Sequence, residues 1–407
     1  MAPSRRRTLA LTLPLVAILV GVVGWGLVGG QLAAGPAKVG KADATATAKA
    51  LLRAQSTATP LPAIADASDG QSPRASTYLD GVKVPVGLVF TPDGRLLFSE
   101  AFDGKVRVAA PDGDRARLLP EPFVQLEIAK GAESGTLGLA LDPDYASNRW
   151  VYLYYSEPDP SRADRRPLRN RIVRFTDRDN VGTDMTVIFD DIPMSRQGRH
   201  NGGRLLFGPD GKLYASVGNA ESKENSQDLR NPNGKVLRLN SDGSIPSDNP
   251  FPGSPIYAYG FRNVFGLAIH PTTGGIYVTE NSGDSDDEIN LVRAGANYGF
   301  PYFEGSGNDE RFVDPIWESG TRTIGPTGLA FSWGDQLARY RGDLFFCAVN
   351  TGALTRLRLT RRAACRRGRG ARERLPPRRS QRPGRRPLLR LDDRQDRPPR
   401  PLTPPGD

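Results

Sequence analysis

From Tyr78 onward the chain alternates short apolar runs with turns rich in Gly, Pro, Asn and Asp. Apolar runs of this length between turn residues predict β-strands, and no long helical period interrupts them. One unit recurs, consisting of a small apolar run, a Pro-Asp-Gly-like turn and a second strand. The turns of four copies contain Pro92, Pro143, Pro209 and Pro271, spaced 51, 66 and 62 residues apart, and Gly328–Phe331 resembles the start of a further copy.

A repeat of this size predicts a β-propeller, because its unit reads as two adjacent antiparallel strands of a four-stranded blade. Each blade of a propeller buries its faces only against its neighbours. A β-sandwich is the alternative, but it would not repeat the same turn at this period. We therefore expect an all-β propeller domain over residues 78–360.

The N-terminus predicts export to the membrane. Three arginines, Arg5–Arg7, precede an uncharged stretch from Leu9 to Gly30, which is 22 residues long and can cross a bilayer as a helix. We expect residues 1–30 to be an uncleaved transmembrane anchor, with a cleaved signal peptide as the alternative. Residues 31–77 are rich in Ala, Thr, Ser and Pro, and they predict a flexible stalk that holds the propeller outside the cytoplasmic membrane.

The charge distribution argues against a nucleic-acid partner for the folded part. The net charge is +10, but residues 361–407 contain 16 Arg and five acidic residues, so residues 1–360 sum to −1. This disordered-looking tail also has nine Pro and no aromatic residue, unlike the preceding domain. We interpret it as the product of a shifted reading frame, which would leave the last blade incomplete; a binder of anionic polymers is the alternative.

Three groups of residues carry candidate chemistry. His200 is one of only two histidines and lies between glycine-rich turns before a strand, which makes it the candidate general base. Arg262 and Asn263 place a five-donor guanidinium beside an amide, a pair suited to carbonyl and carboxylate oxygens. The acidic stretch from Ser282 to Asn290 offers the oxygen ligands that calcium prefers, although a solvated acidic turn is the alternative.

Four ordered motifs together resemble the glucose/sorbosone dehydrogenase family, which includes the soluble glucose dehydrogenases and aldose sugar dehydrogenases. The resemblance covers roughly residues 80–358. The motifs are Glu133–Ala140, His200–Leu205, Gly260–Asn263, and Asp286–Leu291 with Asn297–Pro301. The resemblance implies a six-bladed propeller that uses pyrroloquinoline quinone with calcium to oxidise an aldose at C1 to its lactone, and that passes the electrons to an external acceptor.

The resemblance also implies a role for each matched residue. His200 matches the base that takes the proton of the sugar C1 hydroxyl. Glu133, Arg262 and Asn263 match cofactor contacts, with the arginine stabilising negative charge on the quinone. Calcium contacts are matched by Glu288 and Tyr298, and the backbone carbonyls near Ser282 and Gly283 match those that hold the cofactor's own calcium.

Some family features are missing from this chain. The sequence Asn281-Ser282-Gly283 replaces a His/Gln-Gly-Pro loop, and Asn350 or Thr351 replaces the cofactor-binding lysine expected before Gly352. An arginine-bearing strand expected after Leu359 is absent. Two other functions therefore stay open, namely a non-catalytic extracytoplasmic propeller that binds carbohydrate or protein, and a calcium-dependent lactonase.

Overall fold

The structure is a computed structural model that describes residues 74–359 and 388–392. The predicted anchor at 1–30, nearly all of the predicted stalk and most of the Arg/Pro-rich tail lie outside these residues. Within the described part, no helix has the length and apolar character needed to span a membrane.

The described chain folds into five antiparallel blade sheets, whose strands pair in chain order except for the short last strand of sheet one, which pairs with the third strand of that sheet. Sheet one contains β2 (Pro85–Phe90), β3 (Leu96–Glu100), β4 (Lys105–Asp112), β5 (Arg115–Leu118) and β6 (Val124–Gln125). Sheet two contains β7 (Thr136–Leu141), β8 (Trp150–Pro158), β9 (Pro167–Arg178) and β10 (Val181–Pro193), and the short helix α1 (Tyr145–Asn148) joins its first two strands. Sheet three contains β11 (Leu205–Phe207), β12 (Leu213–Val217), β13 (Lys235–Leu239) and β14 (Ile256–Tyr259).

Sheet four contains β15 (Val264–Ile269), β16 (Ile276–Glu280), β17 (Glu288–Val292) and β18 (Trp317–Glu318). Sheet five has three strands, β19 (Pro326–Phe331), β20 (Leu344–Ala348) and β21 (Ala353–Leu357). A separate two-stranded sheet pairs β1 (Arg74–Leu79) with β22 (Leu388–Asp392). Thus β1 begins within the last residues of the predicted stalk, and β22 lies in the tail.

Apolar clusters between successive sheets hold these sheets together. One cluster joins Leu97 and Val108 of sheet one to Val151 and Val173 of sheet two, and similar clusters fill the next three interfaces. Strands such as β12 and β16 are buried at every position because both faces of their sheet are covered. The fold is therefore a β-propeller, as the repeated strand pair predicts.

Glycines allow the first strands of successive sheets to pack backbone against backbone around the centre of the ring. A Cβ on Gly87 would overlap the carbonyl oxygen of Leu137 in the next sheet, and one on Gly138 would overlap that of Gly203. Gly266 meets the carbonyl oxygen of Thr327 in the same way. At these three positions glycine is required, because the neighbouring backbone comes too close for a side chain.

Arg204 replaces this glycine in the third sheet and uses the central space. Its Nε donates a hydrogen bond to the carbonyl oxygen of Phe265 at 2.9 Å, and its Nη1 donates to that of Val86. One side chain therefore connects sheets one, three and four. Burial without a carboxylate partner among the described residues lowers the pKa of Arg204 to about 10.

The number of blades differs from the prediction. The described residues form five blades where six were expected, and the fifth has only three strands. Gly328 occupies the repeat's glycine position in β19, but a Cβ there would meet nothing within 4 Å, so no strand of the described residues covers it. The expected count came from the family resemblance, whereas the described chain supplies no four-stranded sheet after Leu357.

We expect Gly138→Ala to destabilise the domain and Gly328→Ala to leave it nearly unchanged. The first methyl group must displace backbone of the adjacent blade, an overpacking that costs about 1–3 kcal/mol, while the second points into open space. Denaturant unfolding followed by tyrosine and tryptophan fluorescence measures both. Equal losses in the two variants would contradict the backbone-to-backbone packing.

Candidate active site

The predicted site residues lie at one end of the ring. In every blade the start of the first strand pairs with the end of the second, as Val264 pairs with Glu280 in sheet four. Glu133, His200 and Arg262 each come shortly before the first strand of a blade. Asn219 and Asn281 follow second strands, so they lie at the same end.

The imidazole of His200 is held in one tautomer by Asn219. Nδ1 of His200 lies 2.8 Å from Oδ1 of Asn219, and this oxygen also accepts the backbone N–H of Glu221 at 3.0 Å. Because Oδ1 acts as an acceptor, Nδ1 of the neutral ring carries the proton and Nε2 keeps its lone pair. Burial lowers the pKa of His200, and the positive charge of Arg262 lowers it further, so the ring is ready to accept a proton.

His200 also has an unusual backbone conformation. Its φ is +53°, in the left-handed region, and Gly202 and Gly203 follow it with φ of +66° and +96°. A Cβ on Gly218 would overlap the carbonyl oxygen of His200 and crowd Oδ1 of Asn263. These glycines let the loop before β11 fold closely against the end of β12, where Asn219 stands.

Glu133 connects the leading loops of three blades. Its Oε2 accepts the backbone N–H of His200 at 3.0 Å and the side-chain amide of Asn263 at 3.2 Å. Its own backbone N–H donates to the carbonyl oxygen of Gly198 at 2.9 Å. The structure therefore brings Glu133, His200 and Asn263 together, as the motifs imply.

The guanidinium of Arg262, near Glu133, His200 and Asn263, has N–H donors that form no hydrogen bond with the described residues. Its Nη1 donates to the carbonyl oxygen of Asn281 at 2.9 Å, and no acidic side chain of the described residues forms an ion pair with it. Its backbone is fixed at both ends, since Arg262 N–H donates to Oε1 of Glu280 at 2.6 Å and its carbonyl accepts the N–H of Asn219 at 2.7 Å. A salt bridge therefore does not account for this arginine within the described part.

A buried pair of carboxylates lies behind Arg262. Glu280 and Glu288 are opposite each other on β16 and β17, and Nδ2 of Asn290 donates to both, at 3.3 and 2.8 Å. Burial and the charge of Glu288 raise the pKa of Glu280 well above its usual value. Burial also raises the pKa of Glu288 to about 7, against the opposing hydrogen bonds from Asn290 and Gly305.

The oxygen atoms of Glu280 and Glu288 repel one another when both are ionised, and a bound cation would remove this repulsion. Oδ1 of Asn290 is buried without a hydrogen-bond partner in the part of the chain that the structure describes. Two carboxylates and an open amide oxygen are the hard ligands that calcium prefers. Across residues 74–359, no three acidic, His or Cys side chains already converge on one point, so a cation here would also need carbonyl or water ligands.

The side chain of Tyr298 has a packing role. Its ring stacks on Phe261 at 4.5 Å, and its hydroxyl donates to the carbonyl oxygen of Leu291 at 2.6 Å and accepts the N–H of Arg293 at 2.9 Å. Only its backbone carbonyl could bind calcium. The carbonyls of Ser282 and Gly283, the other predicted calcium contacts, belong to the loop before β17, the strand that begins with Glu288. The N–H of Gly283 donates to Oε2 of Glu304 at 3.0 Å.

A flat, polyanionic quinone fits the polar groups that are left open. Arg262 offers unused N–H donors, and Nδ2 of Asn263, which donates one hydrogen to Glu133, has a second hydrogen that an oxygen of the quinone could accept. Asn350 is exposed in the turn between β20 and β21, where the resemblance leads one to expect a lysine. The arginine and the amide that would bind the quinone oxygens are therefore present, while the lysine that would bind a carboxylate of the cofactor is replaced by Asn350 or Thr351.

Sequence reasoning missed Asn219 and Glu280, and it included Asn290 only as the last residue of the acidic stretch. An asparagine or a glutamate at the end of a strand does not indicate chemistry by itself. The signal that could have found Asn219 and Glu280 is their position, directly after or at the end of the second strand of a blade, next to a predicted site residue. The other histidine, His270, lies in the turn between β15 and β16, where its Nδ1 accepts the N–H groups of Thr272 and Thr273, so it has a structural role in that turn.

Comparison with known proteins agrees with this arrangement. The family model described as glucose/sorbosone dehydrogenase matches residues 82–378. The PQQ-bound aldose sugar dehydrogenase of Streptomyces coelicolor is similar in structure, with a TM-score of 0.64 and 31% identity over 75% of this chain and 85% of that one.

Two curated proteins are similar in sequence. Aldose sugar dehydrogenase YliI of Escherichia coli K12 is 31% identical over 65% of this chain and 73% of its own length. Quinoprotein glucose dehydrogenase B of Acinetobacter calcoaceticus is 33% identical over 58% of this chain and 54% of its own length. With the motifs around His200 and Arg262 in place on a propeller, this chain belongs to the glucose/sorbosone dehydrogenase family of oxidoreductases.

Proposed function

We propose that the protein oxidises an aldose at C1 to its lactone with pyrroloquinoline quinone and calcium. The observation that carries the proposal is the Nδ1–Asn219 hydrogen bond, which leaves Nε2 of His200 as a proton acceptor beside the guanidinium of Arg262, which has no carboxylate partner among the described residues. Membership of a family of sugar dehydrogenases supports the substrate class.

His200 acts as the general base. Its Nε2 accepts the proton of the C1 hydroxyl as the C1–H bond breaks and the C1–O double bond of the lactone forms. Asn219 keeps the ring oriented through this transfer and stabilises the imidazolium that results. When bound, pyrroloquinoline quinone would accept the hydride from C1 and later pass two electrons to an external acceptor.

Arg262, Asn263 and Glu133 prepare the site for that chemistry. The open N–H donors of Arg262 and the amide of Asn263 would bind quinone oxygens, where the arginine stabilises developing negative charge. Glu133 holds the backbone of His200 and the side chain of Asn263 at a fixed separation. Geometry of this kind raises the rate because no group has to reorganise during the reaction.

We also propose that calcium binds near Glu288 and the backbone carbonyl of Tyr298. A cation would offset the charge of the Glu280–Glu288 pair, which lies behind the backbone of Arg262. Calcium binding at this position would therefore support the arginine that faces the quinone.

The location of the activity is a further part of the proposal. The arginines before Leu9–Gly30 favour a segment that crosses the cytoplasmic membrane once, with the propeller on the outer side. Cleavage of that segment would release the same domain as a secreted enzyme.

Replacing His200 by Gln should lower kcat by about 10²–10⁴-fold, because the amide cannot accept the proton. The measurement is reduction of a dye by aldoses after reconstitution of the full chain with pyrroloquinoline quinone and calcium. The control is His270→Asn, which keeps a side-chain acceptor for the turn and should keep activity. Unchanged turnover by His200→Gln would remove it as the base, and failure of the wild-type chain to bind the quinone would contradict the proposed function.

The pH profile of kcat/KM should have an acid limb with its midpoint below 6.5, the ordinary pKa of histidine. Activity requires the neutral ring, so it rises with pH through the lowered pKa of His200. Arg262→Gln should move this midpoint upward, since it removes one of the causes of the lowering. The exposed Arg199→Gln is the matched control, and the idea fails if both substitutions leave the midpoint in place at saturating quinone.

Calcium should raise the melting temperature, and more strongly at pH 8 than at pH 6. Because the pKa values of Glu280 and Glu288 are raised in the folded protein, ionisation of the pair lowers the free energy of unfolding as pH rises through these values. Calcium binds the ionised carboxylates, so it should offset this loss at the higher pH. Glu288→Gln should abolish most of this shift, whereas Asp284→Asn, an exposed acid of the same loop, should retain it. Thermal unfolding with calcium or with a chelator measures the effect, and equal shifts in both variants would contradict the assignment.

A further inference from the structure

A lysine is completely buried next to the loop that contains Asn219. Lys235 is the first residue of β13, where it pairs with Val217 and Tyr259 of the neighbouring strands, and it is 0% exposed. Lysine is almost never fully buried unless its charge is paired. Its Nζ nevertheless forms no ion pair with a carboxylate of the described residues. Burial lowers the pKa of Lys235 to about 7, and the charge of Asp228 opposes this shift.

Backbone carbonyls surround the ammonium group of Lys235. Its Nζ donates to the carbonyl oxygens of Asn225 at 2.6 Å, Asn233 at 2.7 Å and Ser226 at 3.2 Å. These three acceptors match the three N–H donors of an ammonium group. Asn225 and Ser226 are also the last residues of a short 3₁₀ turn, Lys223–Ser226, and the carbonyl end of such a turn favours a positive charge. The carbonyl groups therefore stabilise a charge that burial disfavours.

One of these carbonyl contacts connects Lys235 to the candidate base. The side-chain amide of Asn225 donates to the carbonyl oxygen of Asn219 at 2.9 Å. Oδ1 of Asn219 in turn lies 2.8 Å from Nδ1 of His200. Lys235 therefore fixes the backbone of Asn225, Asn225 fixes the backbone of Asn219, and Asn219 fixes the imidazole.

A second carbonyl contact connects Lys235 to the loop of Arg262. The carbonyl oxygen of Ser226, which accepts Nζ of Lys235, also accepts the N–H of Gly260 at 2.9 Å. Oγ of Ser226 donates to the carbonyl oxygen of Phe261 at 2.6 Å. Because Phe261 directly precedes Arg262, the same ammonium group supports the backbone from which the guanidinium extends.

We propose that Lys235 is a positioning residue that sets the separation of His200 and Arg262 from within the third blade. The inference rests on the proposed function and adds to it a residue that touches neither sugar nor quinone. The loops of His200 and Arg262 precede different blades, and the hydrogen bonds of Lys235 lead to both, through Asn225 and Ser226. A neutral side chain of similar length would leave three carbonyl groups without their donors, so the loop would shift. A shift of about 1 Å in a reacting group can lower a rate by about 10²-fold.

The first test needs neither quinone nor sugar. Long-range ¹H–¹⁵N NMR of the full chain, labelled at histidine, reports which ring nitrogen carries the proton. Lys235→Met should convert His200 from the Nδ1-protonated form to a mixture of both tautomers, because Oδ1 of Asn219 no longer selects one. Lys212→Met is the matched control, since Lys212 lies at the opposite end of the same blade, where its Nζ donates to Oδ1 of Asn240 at 2.6 Å. An unchanged His200 in Lys235→Met, or the same change in both variants, would overturn the inference.

The second test measures kcat and KM for an aldose with the reconstituted chain at saturating quinone. Lys235→Met should lower kcat by about 10–100-fold and change KM by less than about threefold, because the base is displaced while the groups that contact the sugar remain. Lys212→Met should keep both values. A fall confined to KM, or an equal fall of kcat in the two variants, would overturn the inference.

Asn225→Ala breaks the connection to Asn219 without exposing the ammonium group, and it decides the question if Lys235→Met does not fold. The substitution removes the amide that donates to Asn219 and keeps the carbonyl that accepts Lys235. His200 should again become a mixture of tautomers while the far-UV circular dichroism stays that of the wild type. A wild-type tautomer in this variant would overturn the inference. If the wild-type chain oxidises no aldose but Lys235→Met still alters the tautomer, the proposed function fails while the link from Lys235 to His200 stands.

Discussion

One carboxylate oxygen, Oε2 of Glu133, joins the loops on which the candidate active site depends. It accepts the N–H of His200 from the third blade and the amide of Asn263 from the fourth, while Glu133 itself belongs to the second. Asn219 then fixes the ring of His200 and, through its backbone, the carbonyl of Arg262. Base and guanidinium are thus positioned by a short network of hydrogen bonds that no single blade could supply.

The ring makes this network feasible because its central strands approach one another without side chains between them. Gly87, Gly138 and Gly266 each meet a carbonyl oxygen of the next blade, and Arg204 fills the space that remains. Close packing at the centre brings the leading loops together at one end. The same end holds the buried Glu280–Glu288 pair, whose charge a cation would offset.

Much of this could be predicted from local sequence. The repeated apolar run and turn predicted the propeller, and glycine-flanked or paired polar residues before a strand identified His200, Arg262 and Asn263. Asn219 and Glu280 could not be recognised by type, since an asparagine or glutamate at a strand end is ordinary until its partner across the ring is known. The number of blades was wrong because the resemblance describes whole propellers, whereas the described chain leaves Gly328 uncovered.

The tautomer of His200 tests the central claim most directly. Selective ¹⁵N labelling of histidine gives only two rings to assign, and His270 is an internal reference because its Nδ1 accepts hydrogen bonds and its proton must be on Nε2. Long-range ¹H–¹⁵N NMR at pH 7 should show His200 neutral with its proton on Nδ1, opposite to His270. A proton on Nε2 of His200, or a fully protonated ring, would contradict its role as the base.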